Sequence, residues 1–280
     1  MNDNIFGNKR EVSLLLRLKI LFGGSITQTL YGVFSFLMVF VIVFVNQADF
    51  SDFTLDSDTT AKGYITNTTK TDSRINKQYV FAFNYTFLVN DKVYNGTSFS
   101  TDTPKNNEVI IEYLAKNPQN SRITDMRQKT FPFYVSFITI FPVVILFILF
   151  FGLKKNFKAI SLLKNGEIGY AKVLRTEGTN VRVNNQQVIR IFYEFEDKNS
   201  KKHTFSFKSH EPEKLTNEAQ EMLFYDVNNP KNNVLKDSLV AKIVLKENNK
   251  SFKSPSFFQA IILLILPSIA FLMLLIGLLI

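Results

Sequence analysis

The chain reads as a membrane α plus β protein: three transmembrane helices, with a small antiparallel β domain, sandwich or barrel-like, in each of the two connections between them. Three observations predict this. Long uncharged apolar runs occur three times in 280 residues. The chain between them alternates aromatic and polar residues as half-buried strands do. Both connections carry the same ordered set of residues.

No charged residue lies between Lys19 and Asp49, between Lys129 and Lys154, or after Lys253. Each run exceeds the ~20 residues a helix needs to cross a ~30 Å hydrocarbon core at 1.5 Å per residue. In the middle run, 17 of the 23 residues from Phe131 to Leu153 are Leu, Ile, Val or Phe. Each favours insertion by roughly 0.3–0.6 kcal/mol near the membrane centre, which together outweighs two prolines. The expected boundaries are an N-terminal segment over 1–28, transmembrane helices over 29–46, 131–153 and 257–280, and β domains over 47–130 and 154–256. Pro142 and Pro267 read as tolerated kinks within their spans. Phe157, Ile160 and Leu163 should prolong the middle helix until Asn165-Gly166 stops it.

Charge sets the expected orientation. Lys plus Arg against Asp plus Glu number 4 against 2 over 1–30, 10 against 10 over 47–130 and 19 against 12 over 154–256. Lysine and arginine accumulate on the cytoplasmic side. The N-terminus and the basic second connection are therefore expected in the cytoplasm, and the first connection and the C-terminus outside. The first helix reads as an uncleaved signal anchor of a multi-pass cell-membrane protein. Asp49, Asp52, Asp56 and Asp58 behind it match no calcium-loop spacing and read as a solvated linker. Lys154, Lys155 and Lys158 after the second helix, and Lys250 and Lys253 before the third, are expected to touch anionic lipid headgroups at about 1 kcal/mol each.

Side by side, the connections show one pattern twice. Gly63-Tyr64 opens the first and Gly169-Tyr170 the second. Phe83-Asn84-Tyr85-Thr86-Phe87 corresponds to Ile191-Phe192-Tyr193-Glu194-Phe195. Tyr113 with Asn117-Pro118 corresponds to Tyr225 with Asn229-Pro230, each followed by an aliphatic residue, Ile123 or Leu235. The alternation of Phe81, Phe83, Tyr85 and Phe87 predicts a strand, the Asn90-Asp91 pair a turn, and Val93–Phe99 the returning partner. Ile189–Phe195, a turn at Asp197–Ser200 and His203–Phe207 repeat that hairpin. Asn-Pro after Val109–Tyr113 is expected to end a strand. Glu211-Pro212-Glu213 followed by Leu215, Ala219 and Met222 predicts a short helix in the second connection only.

On these residues each copy resembles the membrane-associated family known as domain of unknown function 3592. The shared marks are an early glycine before a strand, a central aromatic strand pair, and closing stretches that read Val109-Ile-Ile-Glu-Tyr113-Leu-Ala-Lys-Asn117-Pro118 and Met222-Leu-Phe-Tyr225-Asp-Val-Asn-Asn229-Pro230. The usual proline between tyrosine and asparagine is absent from both copies. The resemblance covers roughly residues 60–125 and 166–236. It implies a fold and a membrane setting, and gives Gly63, Tyr85, Tyr113, Asn117, Pro118, Gly169, Tyr193, Tyr225, Asn229 and Pro230 structural roles.

Several function classes are excluded or disfavoured. Without cysteine there is no disulfide, thiolate metal site or cysteine nucleophile. His203 and His210 do not make a metal-ligand spacing and read as solvated structural residues. No phosphate-binding loop, dinucleotide fingerprint or nucleophile elbow occurs, so no cofactor and no catalytic residue is assigned. The runs lack Asp, Glu, Lys, Arg and His, which ion pathways need. Tyr193, Phe205 and Phe207 among basic residues suggest nucleic-acid stacking, but they stand where a core needs them and lysine outnumbers arginine. Sequons at Asn67, Asn84 and Asn95 matter only in a secretory eukaryotic setting. The expected function is non-catalytic: an envelope interaction or scaffold protein, with membrane lipids and a membrane or envelope protein as partners and no nucleic acid. The alternatives are an accessory subunit of a transport or secretion complex, or a membrane-bound enzyme, which requires carboxylates converging on His203 or His210.

Overall fold

The computed structural model describes residues 9–55, 59–183, 185–216, 219–246 and 250–279. By internal contacts it forms two units, one of residues 9–34 and 145–271, the other of 35–144 and 272–279. The division falls inside each of three helices long and apolar enough to cross a membrane: Ser25–Val45, Phe133–Asn165 and Phe257–Leu279.

The helices are α1 (Leu14–Phe22), α2 (Ser25–Phe40, continued by a π turn to Val45), α3 (Ile140–Asn165, entered through a 3-10 segment from Phe133), α4 (Phe257–Ile262) and α5 (Ile265–Leu279). Ser13 caps α1 by accepting from the Leu16 amide at 3.3 Å, and the Gly23 amide closes it on the Lys19 carbonyl at 2.8 Å. α3 continues beyond the apolar run and stops at Asn165 as expected, with the Gly166 amide donating to the Leu162 carbonyl. The third span is broken between α4 and α5. Pro267 lacks the amide that would pair with the Leu263 carbonyl four residues earlier. Gln28 Nε2, at the start of α2, donates to that carbonyl at 2.9 Å, the form of compensation a membrane helix requires.

Each connection contains one five-stranded antiparallel sheet. The first comprises β1 (Thr60–Ile75), β2 (Gln78–Val89), β3 (Lys92–Ser100), β4 (Glu108–Leu114) and β5 (Asn117–Ile123), in the order β3-β2-β1-β4-β5. Positive φ at Asn76-Lys77 and Asn90-Asp91 makes both tight hairpin turns. Its two edges approach each other: the Ile123 amide donates to Ser98 Oγ at 2.8 Å and Gln119 Nε2 to the Asn95 carbonyl at 2.9 Å. The sheet thus curls into a half-barrel around Phe83, Tyr85, Phe87, Ile111, Ile123 and Met126.

The second sheet comprises β6 (Glu167–Val183), β7 (Gln186–Glu196), β8 (Lys202–Ser209), β9 (Glu221–Tyr225) and β10 (Asn233–Leu235), in the order β8-β7-β6-β9-β10. One face packs Ile191, Tyr193, Phe195, Leu223 and Tyr225 together. The other face presents Phe224 to a second cluster made of Val12, Leu16 and Ile20 of the N-terminal segment, Ile160 and Leu163 of α3, and Ile243 and Phe252. Burial on both faces explains why Met222–Tyr225 of β9 is a continuous apolar run instead of an alternating one. The N-terminal segment is therefore part of this unit's core. The Arg10 amide donates to the Lys164 carbonyl at 2.8 Å, and Arg10 Nε to the Leu163 carbonyl at 2.9 Å.

The sheets share strand order, and their registers coincide. β1 shifts register between Ile65 and Asn67 and between Lys70 and Arg74; β6 does so between Val173 and Arg175 and between Gly178 and Arg182, each 108 residues later. Thr71 Oγ1 donates to the Val80 carbonyl at 2.8 Å, and Thr179 Oγ1 to the Val188 carbonyl at 2.6 Å.

Three sequence expectations need correction. Gly63 and Gly169 are not counterparts. Gly63 pairs with Phe87 while Ala171 pairs with Phe195, so Gly63 matches Ala171 and Gly169 matches Ala61. A Cβ on Gly63 would meet Ile111 Cγ1 at 2.6 Å, whereas the second sheet accommodates a buried methyl there. The strand before Asn117-Pro118 ends at Leu114 as expected, but Asn117 itself opens the edge strand β5, a position where proline forfeits no ladder bond. The helix expected from Pro212 is only a 3-10 turn, Pro212–Leu215, and Met222 lies in β9, because strand pairing with β6 overrides the helical spacing. Residues 217 and 218, which that helix would have included, lie outside the described residues, as do Asp56 and Asp58.

Candidate functional site: a basic cleft beside α3

Where α3 leaves its apolar run at Leu153, the next turns carry Lys154, Lys155, Asn156 and Lys158. Lys155, Lys158, Ala159 and Leu162 share one helical face and form one wall of a cavity of about 390 Å³. Phe205 and Phe207 of β8, Asn233–Leu235 of β10 and Ser238–Val240 form the rest, with Ile20 of α1. Asn156 Nδ2 donates to the Leu21 carbonyl at 3.2 Å and fixes α3 against α1.

A third lysine comes from the sheet. Lys231 follows Asn229-Pro230 in a turn closed by three amides: Asp226 donating to the Asn232 carbonyl at 3.0 Å, Asn229 to the Asp226 carbonyl at 3.2 Å, and Asn232 to the Asn229 carbonyl at 2.8 Å. The Asn233 side chain donates to the Pro230 carbonyl at 3.0 Å. In this sheet the asparagine-proline motif thus shapes the loop that presents Lys231 to the cleft. Among the described residues no Asp or Glu lines the cleft, and no carboxylate pairs with Lys155, Lys158 or Lys231. Lys155 Nζ lies 5.7 Å from the centre of the Phe207 ring.

Of the other lysines singled out from the sequence, Lys253 lines a separate cleft of about 270 Å³ with Lys19 and Lys242. Lys154 and Lys250 line neither, and the Lys250 carbonyl accepts from the Glu11 amide at 2.8 Å.

A groove of about 450 Å³ on the second sheet gathers Glu167, Glu194, Glu196 and Asp197 with Lys172, Lys198 and Lys202. Two of its carboxylates, Asp197 and Glu194, have structural partners. Asp197 Oδ1 accepts from the amides of Asn199 and Lys201 at 2.8 and 3.1 Å, and Oδ2 pairs with His203 Nε2 at 2.8 Å. The bond from His203, with those amides, holds the Asp197 carboxyl below the usual carboxylate range. His203 is accordingly no solvated residue: its side chain is 16% exposed and its ring lies 5.4 Å from Phe195. Glu194 pairs with Lys202 at 3.2 Å.

The aspartates after the first span are likewise engaged. Asp49 is buried and accepts from Ser51 Oγ at 2.7 Å and from the Gln128 amide at 3.1 Å, and Asp52 pairs with Arg122. Solvation of that linker is thus corrected at Asp49, whereas Asp52 stays exposed beside Arg122.

The motif tyrosines serve packing. Tyr85 hydroxyl bonds Ser121 Oγ at 2.9 Å, Tyr193 hydroxyl donates to the Leu215 carbonyl at 2.8 Å, and Tyr225 hydroxyl accepts from the Lys198 amide at 3.0 Å. Burial pushes the pKa values of all three phenols up, keeping them neutral. Tyr113 is half-buried with its ring 5.6 Å from Phe87.

Sequence reasoning missed Lys231 as a site residue, although it directly follows the motif proline. It also missed the pair Thr71-Asp-Ser-Arg-Ile-Asn-Lys-Gln78 and Thr179-Asn-Val-Arg-Val-Asn-Asn-Gln186, which fixes the true offset of the two sheets. No protein-family model, curated protein or solved structure matches the chain.

Proposed function

We propose that the chain is a non-catalytic interaction or scaffold protein of the cell envelope, presenting two β domains descended from one duplicated ancestor on opposite sides of the cell membrane. The observation that carries this reading is a two-stranded arm on each sheet. β1 pairs with β4 only over Thr60–Tyr64, yet continues with β2 to Ile75. β6 pairs with β9 only over Glu167–Ala171 and continues with β7 to Val183. Among the described residues each arm therefore has an unpaired backbone edge, the feature through which sheets recruit partner strands. Val173, Leu174 and Val181 are exposed on the second arm.

The basic flanks of the first and second spans favour a cytoplasmic N-terminus and second sheet, with the first sheet and C-terminus outside. The N-terminal segment packs into the second sheet's unit, as two crossings between them require. The resemblance to domain of unknown function 3592, which implies a membrane setting, agrees with this reading. A photo-crosslinking residue at Arg74 or Arg182, in the full chain in its native membrane, tests it. The expected result is a discrete protein adduct from each arm, lost when the arm is shortened to a two-residue turn. Adducts no more frequent than from Asp102, outside the arms, would remove the interaction reading.

A further inference from the structure

We propose that the cleft between α3 and the second sheet binds the phosphate of an anionic glycerophospholipid, whose acyl chains stay in the bilayer. This goes beyond the arm-mediated interaction and stands independently of it.

The first argument is position. The apolar run of α3 ends at Leu153, and the lining residues from Lys155 to Leu162 span about 10 Å along the helix immediately beyond it. An occupant of the cleft therefore sits at headgroup depth or just below it.

The second is charge. Three lysines, two from the helix and one from a tightly bonded turn, line one cavity, and among the described residues no carboxylate joins them in that lining. All three side chains are exposed to solvent, so a phosphate anion reaching the cleft meets them without first displacing a protein carboxylate. Lysine binds phosphate as a point charge without demanding a bidentate geometry.

The third is mixed lining. Ile20, Leu162 and Leu239 supply apolar surface beside Asn233 and Ser238, which suits a glycerophosphate joined to hydrocarbon better than a free ion. The fourth is the comparison with the first sheet. Counting from the matched pairs Ile111–Ile123 and Leu223–Leu235, the position of Lys231 is occupied there by Gln119, which bonds the Asn95 carbonyl. The shared fold does not require a lysine at this place. Basic pockets beside membrane helices on the cytoplasmic side are a recognised form of lipid site.

The test uses the full chain in zwitterionic micelles, titrated with dihexanoyl phosphatidylglycerol, dihexanoyl phosphatidylcholine and glycerol 3-phosphate, with occupancy read by native mass spectrometry. One phosphatidylglycerol should bind, at least tenfold more tightly than phosphatidylcholine. Replacing Lys155, Lys158 and Lys231 together by Gln should weaken it about a hundredfold, and Lys231→Gln alone about fivefold. The same charge removed at Lys172, Lys201 and Lys208, outside the cleft, should change it less than twofold. Amide exchange in β7 checks that the triple variant is folded; if it is not, Lys231→Gln on its exposed turn decides. Equal affinity for the two lipids, or equal loss in the control variant, overturns the proposal. Glycerol 3-phosphate binding as tightly as the lipid also overturns it, in favour of a soluble phosphorylated compound.

Discussion

Gly96→Ala separates packing from backbone propensity. In a strand, replacing glycine by alanine ordinarily stabilises by about 0.5–1 kcal/mol, because the unfolded chain loses freedom. Here a methyl at Gly96 would fall on the Tyr85 hydroxyl and Cζ and lie 2.9 Å from Cε2. Tyr85 is 1% exposed and has no room to withdraw. Overpacking costs about 1–3 kcal/mol, and displacing the ring breaks the Tyr85–Ser121 bond for roughly another 1 kcal/mol. The net expectation is a loss of about 2–3 kcal/mol, opposite in sign to propensity. Amide hydrogen exchange on the full chain in nanodiscs should show protection over Phe83–Phe87 falling roughly 30- to 150-fold. In a Tyr85→Ala background the same substitution should cost little. The register counterpart is the partly buried Phe205, stacked on Tyr193 at 5.2 Å with 14° between the rings, so Phe205→Gly should instead destabilise by losing that stack, about 0.5–1.5 kcal/mol beyond the lost burial. Unchanged or increased protection in Gly96→Ala would refute the packing argument.

Arg10→Ala removes the Nε bond to Leu163 and the contacts to the Gly166 carbonyl and the Phe224 ring. Bonds from a charged donor contribute about 1.5–3 kcal/mol, so trypsin should cut after Arg17 and Lys19 at least tenfold faster, and Arg10→Lys should not restore resistance. The depressed carboxyl of Asp197 contributes stability above its unfolded value near 4 that is lost as pH falls toward its folded value. Protection of the Asn199 and Lys201 amides, corrected for intrinsic exchange, should therefore decline on acidification below about pH 4, and Asp197→Asn should abolish that dependence.

The three spans were legible because a 20-residue hydrocarbon requirement leaves a mark that no local competition erases. The β2–β3 and β7–β8 hairpins were legible for a similar reason: Phe83, Tyr85 and Phe87 alternate against a half-buried face. The register was harder. Gly63 and Gly169 are conspicuous letters, but a strand tolerates glycine for several reasons, and only the ladder to Phe87 and Phe195 shows the two-residue slip. The Pro212 region carried genuine helix signals that lost to long-range pairing of Met222 with Tyr170. α1 went unseen because its core is supplied by residues more than a hundred positions away, Ile160, Phe224 and Phe252. Lys231 was overlooked for the same reason, since nothing local brings it to Lys155 and Lys158.

Side-specific labelling tests the architecture most directly. The chain contains no cysteine, so single cysteines at Lys77, in the first arm's turn, and at Lys201, in the β7–β8 turn, report without background. In sealed vesicles of defined orientation, an impermeant maleimide should modify Cys at one position from outside and at the other only after the membrane is opened. Modification of both from the same side of intact vesicles would contradict the account.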